Sequence, residues 1–372
     1  MSSRRGSYLD WNATTPPHED VLSALAAASR EAWANPASVH QPGRTARRHI
    51  EELREAIAEL AGAHPRDVVV TSGGTEANNL ALAGARALLT SRIEHPSVTR
   101  VAEELAVRGV PVRWLRVGPS GRVDPHDVAR DLAELPRPVT VVVMAVNHET
   151  GAIQDLEGVF EVVRAAGARL HVDAVQAVGK LTPEFWSRAD SITLAAHKLR
   201  GPKGIGALVF RGPPSELRPV LRGGGQERGL RPGTQDAALA AGFRAALRRV
   251  GELPERHRAL GALRDRLEQA LADWAQPNVS SSRVPHVSNL WVRGRRADEL
   301  VAALDLEGIW VSSGSACSAG SSEPSPVLRE MFGSARAQES IRVSLGELTS
   351  PEEVDTAISV MRRVLSARSS SA

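Results

Sequence analysis

Asp67-Val68-Val69-Val70-Thr71-Ser72-Gly73-Gly74-Thr75-Glu76-Ala77-Asn78-Asn79-Leu80 is the stretch on which the reading of the fold turns. Three consecutive valines make a short apolar run suited to a strand buried on both faces of a parallel sheet. The chain then turns through Ser72-Gly73-Gly74, and a helix starts at Thr75. A helix N-terminus offers unpaired N–H groups and the positive end of its dipole, so this turn can seat a phosphate. Gly74 lets the backbone approach such a group and the Thr75 hydroxyl can add a hydrogen bond. A Gly-rich turn of this kind is common without any ligand, so it decides fold before function.

Outward from this unit the alternation continues. Residues 42–61 carry a helical apolar face with Leu53, Ile57 and Leu60. Strands are expected at 112–117, 139–146, 169–172, 191–194 and 205–210, with helices near 125–134 and 156–167. A long helical region over 236–273 interrupts the rhythm. A strand near 287–293, a helix near 297–306, a strand near 340–344 and a helix from 351 follow. This pattern predicts a large α/β domain with a mainly parallel sheet and a smaller C-terminal α/β domain. The Ser-rich tail, 366–372, is read as disordered.

Composition narrows the function. The chain has 372 residues, 42% hydrophobic, and a net charge of +3. It contains no run of about 18 apolar residues that would span a bilayer. The N-terminus has no apolar segment behind its basic residues, so a cytoplasmic location is expected. No Lys/Arg run interleaved with aromatics points to nucleic acid as a direct substrate. The single cysteine, Cys317, excludes an internal disulfide and paired-cysteine zinc sites, and no metal is expected. Among 46 Lys and Arg only Lys180, Lys198 and Lys203 are lysines. In so Arg-rich a chain, a retained lysine points to a position that needs a primary amine.

Three further clusters carry chemistry. Asp173, in His171-Val172-Asp173-Ala174-Val175-Gln176, ends an apolar strand where open α/β sheets place ligands. A carboxylate there can keep a heteroaromatic nitrogen protonated, or simply cap the next turn. Lys198, in Ala195-Ala196-His197-Lys198-Leu199-Arg200-Gly201-Pro202, follows a strand on an irregular turn and can hold an aldehyde cofactor. Cys317, in Ser312-Ser313-Gly314-Ser315-Ala316-Cys317-Ser318-Ala319-Gly320, sits among small polar residues that suit an accessible nucleophile better than a core thiol. A phosphate seat, a ring-nitrogen carboxylate, an amine and a loop thiol together point to pyridoxal 5'-phosphate.

With these motifs stand LDWNATTP at 9–16, NPASVH at 35–40, EHPSV at 94–98, RGGGQERGLRPGT at 222–234 and SIRVSLG at 340–346. In this order they resemble the cysteine desulfurases of the class V (fold type I) aminotransferase superfamily, in the branch with an SSGSAC motif. The resemblance implies a mainly parallel seven-stranded sheet flanked by helices. It places a large domain at 16–253 and a small one at 1–15 and 254–372. It implies that Lys198 binds the cofactor aldehyde, Asp173 pairs with the ring nitrogen, Gln176 meets the phenolic oxygen and His95 stacks on the ring as an acid–base group. Gly74, Thr75 and His197 would hold the phosphate, with Thr234 supplied by the second subunit of a homodimer. His148 would contact the cofactor, and Arg342 and Asn147 the substrate.

The implied reaction converts L-cysteine to L-alanine with sulfur passing to Cys317 as a persulfide. With no second cysteine in the chain, that sulfur goes on to an acceptor protein or an external thiol. Iron–sulfur assembly, thionucleoside synthesis and DNA sulfur modification are all open destinations. A selenocysteine lyase and a non-catalytic scaffold of a sulfur-transfer complex are the competing readings. Three departures from the family pattern stand out: His148 replaces an Asn, Ala195 replaces a hydroxyl-bearing Ser, and the segment between Ala83 and Thr90 is short. The first two imply weaker cofactor retention, since a lost hydrogen bond to a charged group costs about 1.5–3 kcal/mol.

Overall fold

The computed structural model describes residues 6–280, 282–314 and 324–367. In chain order the strands are β1 (Ser7–Tyr8), β2 (Val68–Thr71), β3 (Leu88–Ser91), β4 (Val112–Leu115), β5 (Thr140–Met144) and β6 (Arg169–Asp173). They continue with β7 (Ser191–Ala195), β8 (Gly206–Phe210), β9 (Gln276–Pro277), β10 (Val287–Trp291), β11 (Ile309–Trp310) and β12 (Ser340–Ser344). Seven of them form one sheet in the order β2-β8-β7-β6-β5-β3-β4. Only β8 runs antiparallel to its neighbours, so the sheet is mainly parallel, as the alternation predicts. The valine runs of β2 and β5 are buried because helices cover both faces of the sheet.

β2, β6 and β7 all end on the same edge, and β8 begins there: Gly206 pairs with both Thr71 and Ala195. A Cβ at Gly206 would lie 2.7 Å from the Cα of Gly73 and 2.6 Å from the Leu194 carbonyl oxygen. Glycine at 206 therefore lets the Gly73-Gly74 turn close down on the sheet edge. A second sheet, β12-β10-β9, belongs to the C-terminal part, and β1 pairs with β11. Leu9, Leu260, Leu290, Leu300, Ile341 and Met361 pack into a core of their own there. The larger core also takes in Val284, Val287, Val327 and Met331 from the C-terminal third.

Helix Gln41–Ala61 matches its expected span; His40 caps its start and left-handed Gly62 its end. The helical region expected over 236–273 is instead two helices, Ala237–Leu247 and Leu253–Ala270, joined by a 3-10 turn at Val250–Glu252. Pro254 in the first turn of the second helix lacks the N–H that a continuous helix would need. The short segment between Ala83 and Thr90 is a helix–strand connection, but the bounds of β3 are not readable from sequence, because its four buried residues carry no period. The closing helix, Pro351–Ser366, takes in Ser366 of the tail read as disordered; 368–372 lie outside the described residues.

One polar tie holds the loop after β8 to the edge of the sheet. Glu227 and Arg228 adopt left-handed backbone, φ +48° and +58°, unusual for residues with side chains. The Glu227 carboxylate is buried and takes both Arg54 Nη atoms, at 2.8 and 2.9 Å, together with the Val70 N–H at 3.0 Å and the Gln235 amide. Burial opposes the Arg54 charge, but the bonds to Glu227 outweigh it and raise its pKa. Arg54→Ala would leave that carboxylate buried without its cation and is expected to destabilise the chain by about 3–5 kcal/mol, read by chemical denaturation. A loss below about 1 kcal/mol would show the pair to be dispensable.

Candidate active site

At the carboxyl edge of the sheet lies a cavity of about 180 Å³. Gly74, Thr75, His95, His148, Asp173, Gln176, His197, Lys198 and Arg342 line it, brought from segments far apart in sequence. Asn147 does not line it. Its amide oxygen is taken by the N–H groups of Glu149 and Thr150 and the Thr150 hydroxyl, and its Nδ2 donates to the Ile93 carbonyl. Thr234 is exposed and borders a separate surface groove with Trp33 and Asn35. Cys317 lies outside the described residues. A wider groove of about 440 Å³ by Arg122 and Trp186 contains none of the expected site residues.

Gly74 opens helix Gly74–Leu82 directly after β2, which puts free N–H groups at the cavity. A Cβ on Gly74 would meet Val175 Cγ2 at 2.9 Å, so the cradle has room only for glycine. Ala195, the last residue of β7, is 4% exposed and lines the same end. The chain leaves β7 through a 3-10 turn, Ala196–Lys198. Lys198 Nζ donates to the Asn12 carbonyl and, at 2.8 Å, to the Ala13 carbonyl. Arg200, at φ +59°, pins the turn from the other side by pairing with Glu347 at 3.2 Å. His197 shares a 3.1 Å hydrogen bond with the Thr14 hydroxyl; burial, then Lys198, pushes its pKa down to about 3.

Asp173 ends β6 and is 7% exposed. Its Oδ1 accepts from the Val175 N–H at 3.0 Å, and its Oδ2 accepts from Asn78 Nδ2 at 2.8 Å. Asn78 is in turn oriented by His171, whose Nε2 lies 3.0 Å from Asn78 Oδ1 and whose Nδ1 lies 2.8 Å from Ser191 Oγ. Burial lowers the His171 pKa to about 4, so it is neutral and its two nitrogens play opposite hydrogen-bonding roles. Sequence reading missed both residues, although each left a signal. His171 is two residues before Asp173 on one strand, hence on its face, and Asn78 follows Gly74 by one helical turn.

His95 caps helix Pro96–Val107, its Nδ1 accepting from the Ser97 N–H at 3.1 Å. Burial lowers its pKa, reinforced by Lys198 and opposed by Asp173, so the ring is neutral near pH 7. The His148 ring stands edge-on to it, centroids 5.4 Å apart. Both His148 nitrogens are buried without a hydrogen bond among the described residues, and Nε2 is 3.7 Å from the Glu149 carboxylate. Burial, with His95, Arg342 and Lys198, keeps His148 well below the usual histidine range. Arg342 is buried; it donates to the His148 carbonyl at 3.1 Å and to Asp10 at 2.5 Å, while its Nε has no hydrogen-bond partner among the described residues. Asn12, also missed, joins these parts: its side chain reaches the His148 carbonyl at 3.1 Å and His286 Nε2 at 3.1 Å.

Residues 7–356 match the family described as aminotransferase class-V. A cysteine desulfurase from Frankia sp. (strain EuIK1) is 42% identical, the comparison covering 97% of this chain and 92% of that protein. Among solved structures, a NifS-like protein superposes with a TM-score of 0.88 at 32% identity, covering 97% of this chain and 99% of the other. A structure described as SspA in complex with cysteine gives 0.79 at 29% identity, over 92% of this chain and 100% of that one. Match length, identity and fold agree: the chain belongs to the aminotransferase class-V family, among its cysteine desulfurases.

Proposed function

We propose that the chain uses pyridoxal 5'-phosphate to convert L-cysteine to L-alanine, the sulfur passing to Cys317 as a persulfide. The observation that carries this reading is the meeting of an amine, a carboxylate, a neutral imidazole and a helix N-terminus in one cavity of about 180 Å³. The donor set fits the cofactor. Gly74 leaves a cradle that a Cβ would fill, and the buried His148 ring nitrogens and Arg342 Nε have no hydrogen-bond partner among the described residues. The SspA relative, solved with cysteine, supports the substrate.

Bound there, the cofactor supplies an electron sink for the bonds at the amino acid's Cα. Lys198, held at the floor by the Asn12 and Ala13 carbonyls, anchors the cofactor and then moves the Cα proton. Asp173 keeps a proton on the ring nitrogen, its carboxylate steadied by Asn78 and the Val175 N–H. His95, neutral near pH 7, can accept and return a proton. Arg342 offers a guanidinium to the substrate carboxylate, in competition with Asp10. The Cys317 thiolate attacks the substrate sulfur, the C–S bond breaks, and Cβ gains a proton. Cysteine and one thiol thus become alanine and one persulfide.

The same reading makes the enzyme a cytoplasmic homodimer, with Thr234 of each copy serving the other's phosphate site and an acceptor protein or thiol relieving Cys317. No helix among the described residues is long and apolar enough to cross a membrane. The division into 16–253 and 1–15 with 254–372 belongs to the proposal, supported by the separate C-terminal core. The deciding experiment measures alanine and sulfide from L-cysteine with added thiol. Wild type is expected to release both equally, and Cys317→Ala to lose at least about 10³-fold of each. Undiminished alanine from Cys317→Ala would remove the persulfide step.

A further inference from the structure

Lys180 is one of three lysines in the chain, and the mechanism above does not use it. It lies seven residues after Asp173, on the turn that leads away from β6, and is 8% exposed. No carboxylate pairs with it among the described residues. Its Nζ donates instead to Gln176 Oε1 at 3.2 Å. The Gln176 Nε2 donates to the Asn12 carbonyl at 3.0 Å, the same carbonyl that accepts from Lys198 Nζ. One short chain of bonds therefore runs from Lys180 through Gln176 and Asn12 to Lys198.

The two ends of this chain decide which way the Gln176 amide faces. A carbonyl oxygen can only accept and an ammonium can only donate. The amide satisfies both in a single orientation, with its oxygen towards Lys180 and its N–H groups towards Asn12 and the cavity. We propose that Lys180 is a positioning residue: it holds the Gln176 amide so that an N–H, and not the carbonyl, faces the phenolic oxygen of the bound cofactor. The inference rests on the reading of the cavity as a pyridoxal phosphate site. An N–H donor there steadies negative charge on that oxygen, whereas a carbonyl would repel it.

The surroundings of Lys180 set the pH range over which it is an ammonium that can only donate. Burial, then the charge of Lys198, lowers the Lys180 pKa to about 7. His197, His257 and His286 also feel its charge, and burial lowers all three, to about 3, about 4 and well below the usual range. They are therefore neutral at pH 7, which leaves Lys198 as the cation facing Lys180 among the described residues. His286 and His257, their rings 4.8 Å apart, back Asn12 from its other side.

The test is a pH titration of the visible absorbance of the cofactor-loaded full chain. Wild type is compared with Lys180→Met, Lys180→Gln, Gln176→Leu and the Lys180→Met/Gln176→Leu double variant. With no N–H donor at the phenolic oxygen, its negative charge would be held less well, and the nitrogen linking Lys198 to the cofactor aldehyde would keep its proton to higher pH. Lys180→Met is expected to raise the midpoint by about one pH unit, as does Gln176→Leu, with no further shift in the double variant. Lys180→Gln, whose amide can accept as well as donate, is expected to move it the same way by a smaller step. A midpoint unmoved in the cofactor-loaded Lys180 variants, or shifts that add in full in the double variant, would overturn the assignment. Wild-type protein that takes up no cofactor would overturn the cavity reading and this inference together.

Discussion

Lys198→Ala is expected to lower alanine production from L-cysteine by about 10⁴-fold or more, with the fold intact. The size follows from what no neighbour can replace. Lys198 leaves β7 on a 3-10 turn that brings its amine to the Asn12 and Ala13 carbonyls at the cavity floor. Lys180 is the other lysine in this network, but its Nζ is engaged with the Gln176 oxygen. Arginines are abundant in this chain, yet a guanidinium cannot give up its proton to form a covalent link to an aldehyde. The variant thus loses both the anchor and the group that moves the Cα proton. Alanine quantified over time reads the loss of turnover, and the absorbance spectrum after dialysis reads the loss of the anchor. Retention of more than about 1% of turnover would assign the proton transfer to another group.

Asp173→Asn is expected to reduce turnover by about 10³-fold while the melting temperature falls only modestly. The carboxylate has two accepting oxygens, and both are in use, one by the Val175 N–H and one by Asn78 Nδ2. An asparagine amide offers a single oxygen, so one of these donors must face another donor. That mismatch costs about 1–3 kcal/mol of stability. The larger effect is electrostatic: a neutral amide cannot hold a proton on the ring nitrogen, and the electron sink weakens. Comparison with Asn78→Ala separates the two causes, because that change leaves the charge and removes only its support. Asn78→Ala is expected to cost turnover far less than Asp173→Asn. Equal losses would mean that orientation, not charge, is what the site requires.

Much of this site was legible before any coordinates. The valine run followed by Gly73-Gly74 announced a strand, a turn and a helix start, because each of those residues has a local reason for its conformation. Lys198 and Asp173 stood out for the same kind of reason: each follows an apolar strand, where parallel sheets expose their carboxyl ends. His171 and Asn78 carried readable offsets that were passed over. The break between helices Ala237–Leu247 and Leu253–Ala270 was marked by Pro254 and was likewise overlooked.

What the sequence determined by itself was local: which segments form helices and strands, which turn is glycine-built, and which residue types are fit for amine, carboxylate and thiol chemistry. These follow from interactions within a few residues, which periodicity and propensity record. Only the tertiary structure decided that Asn12 meets Lys198 across 186 positions, that Arg342 is already paired with Asp10, and that Asn147 uses its amide oxygen within its own turn and its Nδ2 on Ile93. It also decided that Lys180 is buried beside Gln176, with no carboxylate paired to it among the described residues. Such pairings depend on where the sheet edge brings distant segments together, and on which polar groups burial then forces to satisfy one another.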